Sequence, residues 1–170
     1  DTPSLAKEEG ADMVAKLKHF GVNPSDLAYP VYYDLEKWTW EGHQPPTDPN
    51  VYNNIVNNWY SALQSAGYKN LGVYSYTSYL QGPLKYADIY AKTTWVAQYG
   101  ARMGFDSFPT NSRGWQYTSS GKVDGISGNV DMNAFGNKEF VNGGSSNDLQ
   151  AAIDVRKMTA VTIPNGNYYI

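Results

Sequence analysis

Short β-type runs alternate with amphipathic helical segments along the first hundred residues, and this alternation constrains the fold more than any other feature. Helices are predicted over 2–21 and 48–67, because each segment opens with a capping residue followed by proline and closes with glycine. Apolar residues recur every three to four positions, and the apolar side of the first helix is predicted to include Gly10 and Phe20. The apolar side of the second helix is predicted to consist of Tyr52, Ile55, Val56, Trp59, Ala62, Leu63 and Ala66. Strands are predicted over 28–35, 71–76 and 94–99, with a short helix over 84–91. Strands and helices in this order favour parallel βαβ units over a sandwich.

The later part of the chain departs from this rhythm. Two more strands are predicted over 113–118 and 128–132, joined by a Ser-Gly-Lys turn with no helix between them. Further on, residues 142–147 have the sequence NGGSSN, a composition typical of linkers. We therefore expect one domain over 1–141, followed by a linker and the start of a C-terminal appendage over 142–170.

The composition excludes several classes of protein. At 170 residues the chain can bury a core without disulfides or a metal, and it has no cysteine. Its formal net charge is -3 and it has no run of Lys or Arg, so nucleic acid is not expected as a partner. No apolar run approaches the roughly 18 residues that a membrane span needs, and no signal-peptide pattern opens the chain. We expect a soluble or already processed domain that binds neither nucleic acid nor membrane.

Aromatic residues make up 15% of the chain, with fifteen Tyr and five Trp, whereas only 17% of the residues are charged. Tyr and Trp combine a flat apolar face with a polar tip. This composition suits a cleft for flat, hydroxylated ligands such as sugars. An ordinary Tyr-rich core is the alternative that composition leaves open.

Two acids, Asp34 and Glu36, stand two residues apart at the end of a predicted buried strand. The alternation of a strand places both on one face, at the end where α/β barrels carry their chemistry. Glycoside hydrolases use a pair of carboxylates as catalytic groups. Two like charges in a semi-buried site raise the pKa of one of them, which can then act as a general acid. The alternatives are a strand that runs out into a solvated loop or, together with Asp131, a site for Mg²⁺ or Ca²⁺.

Further candidates lie on the other predicted strands. Asp131 is a third acid at a strand end. Tyr74 and Tyr76 share one face of the second strand, and Trp95 and Trp115 lie in the next two. Aromatic rings at these positions suit a sugar-stacking cleft, and packing in a barrel core is the alternative.

Other chemistries find little support in the sequence. Cysteine is absent, and the two histidines, His19 on a helix and His43 in a loop, supply neither a Cys–His pair nor a zinc set. No glycine-rich phosphate loop is present.

Four segments together resemble one known family. These are PVYYDLE (30–36), LGVYSYTSYL (71–80), TWVAQYG (94–100) and RGWQYTSSGKVDGISGNVDMN (113–133). They are similar to the family 25 glycoside hydrolases, the bacterial and phage lysozymes that act as N-acetylmuramidases. The resemblance extends in order from the first helix to about Phe135, and its last block is the most specific part.

This resemblance implies an α/β fold, an irregular TIM-like (β/α) barrel whose later strands have short connections. It implies hydrolysis of the β-1,4 bond between N-acetylmuramic acid and N-acetylglucosamine in peptidoglycan, with no metal and no cofactor. The expected location is extracellular, at the bacterial cell wall.

The resemblance also implies roles for individual residues. Glu36 matches the acid that protonates the leaving glycosidic oxygen. Asp34 matches the second acid of the D-x-E pair, which orients the N-acetyl group or stabilises the developing oxocarbenium ion, and Asp131 matches a late active-site acid. Tyr76 and Tyr74 match the aromatic residues of the cleft, and the strands of Trp95 and Trp115 match as well.

One departure from the family pattern concerns the N-terminus. Members begin with a D-x-S strand and further βα units before the D-x-E strand, whereas here 33 residues and a single helix precede Asp34. At about 30 residues per unit, roughly 60 to 90 residues of barrel are expected to be missing. An open sheet edge would then favour an oligomer or a swapped assembly. A non-catalytic, peptidoglycan-binding remnant is the alternative function.

Overall fold

The computed structural model describes residues 2–100 and 114–135, so the predicted appendage over 142–170 lies outside the described residues. The helices are α1 (Pro3–His19), α2 (Pro49–Ser65), α3 (Thr77–Leu80) and α4 (Ala87–Lys92). The strands are β1 (Val31–Asp34), β2 (Leu71–Tyr76), β3 (Thr93–Ala97), β4 (Gly114–Gly121) and β5 (Val130–Phe135).

The two long helices begin where the capping signals predict. The Thr2 hydroxyl accepts a hydrogen bond from the Leu5 amide at 3.2 Å, and the Asp48 carboxylate accepts one from the Asn50 amide at 2.9 Å. Each bond satisfies one of the amide groups that a helix start leaves without a partner. Within residues 2–100 and 114–135, no helix is long and apolar enough to cross a membrane.

The five strands form one sheet in sequence order, β1-β2-β3-β4-β5. The first four are parallel, and β5 pairs antiparallel with β4. The sheet curls so that its two ends come together: Tyr29, just before β1, contacts Phe135 at the end of β5, with ring centroids 5.5 Å apart. This mixed α/β half-barrel confirms the predicted partial (β/α) barrel. Among the described strands β1 forms an edge, and assembly through that edge stays a prediction.

Some predicted boundaries are wrong. The Ser-Gly-Lys turn does not form, because β4 continues through Gly121, which pairs with Val130, and the connection to β5 covers 122–129. Lys122 closes that longer loop by donating from Nζ to the Gly128 carbonyl at 2.8 Å. The short turn α3 directly after β2 was not predicted, and α4 begins later than the apolar pattern indicates.

The main core lies on the outer face of the sheet, under α1 and α2. The predicted buried side of α2 is confirmed by Tyr52, Ile55, Val56, Trp59 and Leu63. From β1, the Tyr33 ring stacks on Trp59 with centroids 4.6 Å apart and planes 6° from parallel. Gly10 is buried as predicted. The prediction that Phe20 lies on the apolar side is wrong, because Phe20 follows the last helical residue and is 76% exposed.

Gly10 sets the closest approach of the two long helices. A Cβ atom added there would lie 2.8 Å from the Ala62 Cβ and 3.0 Å from the Trp59 backbone oxygen. In an isolated helix alanine is favoured over glycine by about 1 kcal/mol, whereas overpacking a core costs about 1–3 kcal/mol. Because backbone cannot yield as a flexible side chain can, we expect the packing cost to be the larger effect.

Gly10→Ala is therefore expected to lower the free energy of unfolding by on the order of 1 kcal/mol. Urea denaturation followed by circular dichroism measures this change. Glu8→Ala, on the exposed side of the same helix, is the control and is expected to leave stability nearly unchanged. A more stable Gly10→Ala variant would contradict the tight helix contact.

Candidate active site

The site lies where the carboxyl ends of the parallel strands meet. Beyond β1 the pairing with β2 continues, since the Leu35 amide donates to the Tyr74 carbonyl at 3.0 Å and the Ser75 hydroxyl donates to the Leu35 carbonyl at 2.6 Å. Leu35 is buried in the outer core, so its neighbours Asp34 and Glu36 face the inner side of the sheet. Both acids are exposed toward the cleft.

Asp131 lies at the same edge of the sheet, on a strand that runs in the opposite direction. Sequence analysis places it at the end of a strand, but it is the second residue of β5. Because β5 runs antiparallel to β4, its start lies at the edge where the parallel strands end. Asp131 consequently lines the same cleft as Asp34 and Glu36.

The inner face of the sheet carries a cleft of about 300 Å³. Its lining residues are Tyr32, Asp34, Glu36, Tyr74, Trp95, Tyr99, Gln116 and Asp131. The structure thus brings together three predicted acids and two predicted aromatic residues. Tyr32, Tyr99 and Gln116 were missed. Tyr32 could have been predicted from the sequence, because it stands two residues before Asp34 in β1 and so points to the same face of the sheet.

A second compartment adjoins the first. It measures about 450 Å³ and is lined by Glu36, Tyr76, Thr77, Ala97, Gln98 and Tyr99. Only Glu36 and Tyr99 line both compartments. The predicted residue Tyr76 therefore lines the second compartment, whereas Trp95 lines the first.

The electrostatic environment singles out Asp34. Burial of its carboxyl group and the nearby Glu36 carboxylate raise the pKa of Asp34 from 3.8 to about 6. Burial also raises the pKa of Tyr74 well above its usual range, and the charges of Glu36 and Asp34 raise it further. Both shifts have the expected origin, since desolvation and a neighbouring negative charge disfavour an anion. The sequence predicts one raised pKa in the pair, and it falls on Asp34 rather than on the residue that the resemblance implies to be the proton donor, Glu36.

Trp95 reaches the cleft because β3 is irregular. The register with β2 shifts by one residue, so that Val73 pairs with Thr93 whereas Tyr74 pairs with Trp95. Thr93 bonds to the backbone of α4 on the outer side, and the extra residue turns Trp95 inward. Its indole N–H donates to Asn133 Oδ1 at 3.0 Å, and its ring packs against Tyr74 at a centroid distance of 4.6 Å.

Trp115 lines neither compartment, and its burial favours the alternative that it packs in the core. It is only 4% exposed and pairs in the sheet with Val96, a residue of the outer core. Its indole N–H donates to the Gln98 carbonyl at 2.7 Å. The next residue along β4, Gln116, faces the cleft instead.

The cleft acids do not form a metal site by themselves. Across residues 2–100 and 114–135, no group of three or more His, Asp or Glu side chains is placed to hold a metal ion. The Mg²⁺ or Ca²⁺ alternative over Asp34, Glu36 and Asp131 therefore has no support in this part of the chain.

Carboxylates grouped at the carboxyl edge of a parallel half-barrel, among aromatic rings, are the arrangement found in α/β glycoside hydrolases. Comparison with known families agrees with this class. The family model described as glycosyl hydrolases family 25 matches residues 4–126. The chain belongs to this family.

Solved structures with the same fold are found in several organisms. The modular autolysin LytC from Streptococcus pneumoniae is 33% identical, with a TM-score of 0.74 over 79% of this chain and 31% of that one. LytC has also been solved in complex with a synthetic peptidoglycan ligand. The chain therefore spans about a third of the LytC chain. No curated protein sequence gives a significant match.

More distant structures share the fold alone. The spore cortex lytic enzyme SleM of Clostridium perfringens is 18% identical, with a TM-score of 0.56 over 80% of this chain and 46% of that one. The muramidase of Acremonium alcalophilum is 15% identical, with a TM-score of 0.54 over 84% of this chain and 65% of that one.

The raised pKa of Asp34 makes a direct prediction. The Asp34 carboxyl is expected to titrate near pH 6 in a ¹³C NMR experiment, and Glu36→Gln is expected to lower that midpoint by removing a neighbouring charge. The midpoint should stay above 3.8, because burial remains the larger cause. An unchanged midpoint in Glu36→Gln would show that the two carboxylates do not interact.

The same shift links stability to pH. The folded chain holds the Asp34 proton more tightly than the unfolded chain, so this contribution to stability is present below pH 3.8 and lost as pH rises through about 6. Asp34→Asn removes the titration. Its melting temperature relative to the parent chain is expected to rise between pH 4 and 7, by a modest amount because the side chain is partly solvated.

Proposed function

We propose that the chain is a peptidoglycan hydrolase of the lysozyme type, which cleaves the β-1,4 bond between N-acetylmuramic acid and N-acetylglucosamine. The observation that carries this proposal is the position of Glu36, which lines both compartments of the cleft beside Asp34. Membership in family 25 and the 33% identity to LytC, a protein solved with a peptidoglycan ligand, support the substrate class.

In this proposal Glu36 is the general acid. A glycosidic oxygen joins two sugars, so the acid that protonates it must be accessible between two adjacent sugar sites. Glu36 fits this requirement, because it lines both compartments. Proton transfer to the leaving oxygen lets the bond to the departing sugar break without forming a free alkoxide.

Asp34 and Asp131 act on the other reacting sugar. Both line the compartment that also holds Trp95. The transition state of glycoside hydrolysis carries positive charge on the sugar ring, and fixed carboxylates in a partly desolvated cleft stabilise that charge. Because its pKa is raised, the Asp34 carboxyl can also hold a proton and donate a hydrogen bond to the carbonyl oxygen of the N-acetyl group.

The aromatic residues bind the sugar rings. Tyr74 and Trp95 line the compartment with the acids, and Tyr76 lines the other. Their apolar faces match the C–H faces of a pyranose ring, and polar groups at the rim match its hydroxyls. Because the proposed substrate is cell-wall peptidoglycan, the place of action is extracellular.

Release of reducing ends from purified peptidoglycan tests the assignment. Glu36→Gln keeps the side-chain shape but cannot donate an acid proton, so its rate is expected to fall by about 10²–10⁴-fold. Asp34→Asn is expected to reduce the rate as well. Glu41→Gln, an exposed acid in the loop after β1, is the matched control and should retain full activity.

Each other outcome has a distinct meaning. Full activity in Glu36→Gln would contradict the acid assignment. Protection of Trp fluorescence by glycan without release of reducing ends would favour the binding remnant over the hydrolase. Circular dichroism of each variant separates loss of chemistry from loss of fold.

A further inference from the structure

Gln116 is a buried polar residue in the cleft, and the mechanism above gives it no role. Its side chain is 5% exposed. Its Oε1 atom accepts a hydrogen bond from the Tyr74 hydroxyl at 3.0 Å and one from the Tyr99 hydroxyl at 3.1 Å. A single amide therefore connects two phenol groups that come from different parts of the sheet.

Tyr99 depends on this bond for a fixed position. It follows β3, and the segment around it is attached to β4 by backbone bonds from Gln98 to Gln116 and from Gly100 to Tyr117, at 3.1 and 3.2 Å. The side chain itself is 59% exposed. An exposed aromatic side chain samples several rotamers unless a polar contact holds its tip. The bond to Gln116 holds the tip of a ring that lines both compartments.

Tyr74 depends on the same bond for the direction of its proton. Its hydroxyl donates to Gln116 Oε1, and Tyr74 lines the same compartment as Glu36. A phenol has one proton to donate and lone pairs to accept. Because the proton is donated to Gln116, the oxygen of Tyr74 is left as a hydrogen-bond acceptor for a sugar hydroxyl in the cleft.

We infer that Gln116 is a positioning residue: it holds Tyr99, which lines both sugar compartments, and directs the Tyr74 hydroxyl so that its oxygen is left as an acceptor for the substrate. This inference rests on the proposed hydrolase function. It gives Gln116 no contact with the reacting atoms, and its effect passes through two tyrosines. Removal of its polar group should therefore lower kcat, because a sugar held less firmly beside Glu36 reaches the reactive geometry less often.

A double-mutant cycle tests this inference on the 170-residue chain. Gln116→Met keeps the length of the side chain and removes both hydrogen bonds, whereas Tyr99→Phe removes one and keeps the ring. Since one hydrogen bond contributes about 0.5–1.5 kcal/mol, Tyr99→Phe is expected to lower kcat for peptidoglycan roughly two- to tenfold, and Gln116→Met more. The double variant should be no slower than Gln116→Met alone, because the Tyr99 bond is already lost.

Controls separate positioning from a general loss of stability. Tyr117→Phe, next to Gln116 but outside the cleft lining, should retain full kcat. If Gln116 were merely structural, Gln116→Met would lower the melting temperature, and the effects of Gln116→Met and Tyr99→Phe on kcat would multiply in the double variant. That result would overturn the inference. Unchanged kcat in Gln116→Met would overturn it too, with the hydrolase proposal intact.

A spectroscopic measurement makes the test independent of turnover. The side-chain carbonyl ¹³C resonance of Gln116 should shift in both Tyr74→Phe and Tyr99→Phe, and absence of a shift in either would overturn the inference. If the parent chain shows no turnover, the proposed function fails, and the same cycle is measured on binding of a peptidoglycan tetrasaccharide. Non-additive losses of affinity would then support the positioning role, whereas additive losses or no binding would overturn it.

Discussion

The inner face of the sheet depends on how β1 is held against the outer core. Tyr33 stacks on Trp59, and its hydroxyl donates to Glu9 of α1 at 2.8 Å. Leu35 is buried two residues later. Because neighbouring residues of a strand point to opposite faces, fixing these two outward leaves Asp34 and Glu36 no orientation but inward. A slip of one residue would bury both acids in an apolar core, at a cost of several kcal/mol each.

Carboxylates and aromatic rings line the cleft together. Trp95, Tyr32 and Phe135 pack together on the inner face, with the Trp95 ring 5.1 Å from Tyr32 and 5.4 Å from Phe135. Gly114 makes room for this packing, since a Cβ atom there would lie closer to Phe135 and Trp95 than contact allows. Trp95 and Tyr32 line the same compartment as Asp34, and partial burial of the Asp34 carboxyl is the first cause of its raised pKa.

Much of the architecture was predictable because it depends on local signals. Capping residues with proline set the starts of both long helices, and apolar spacing identified the buried side of α2. Strand alternation placed Asp34 and Glu36 on one face. Phe20 and the β4–β5 turn were mispredicted, since the end of a helix and the length of a hairpin depend on contacts that the local pattern does not contain.

The sequence by itself determined the strand and helix order, the acid pair and the family resemblance, because all three are encoded in neighbouring residues. Only the tertiary structure decided how the other side chains reach the pair, and that Tyr32, Tyr99 and Gln116 join it. A register shift in β3 turns Trp95 inward, the antiparallel direction of β5 brings Asp131 to the cleft, and the pairing of β4 leaves Trp115 in the core while Gln116 faces Tyr74 and Tyr99. These outcomes depend on strand pairing between residues far apart in the chain, and no local pattern specifies such pairing.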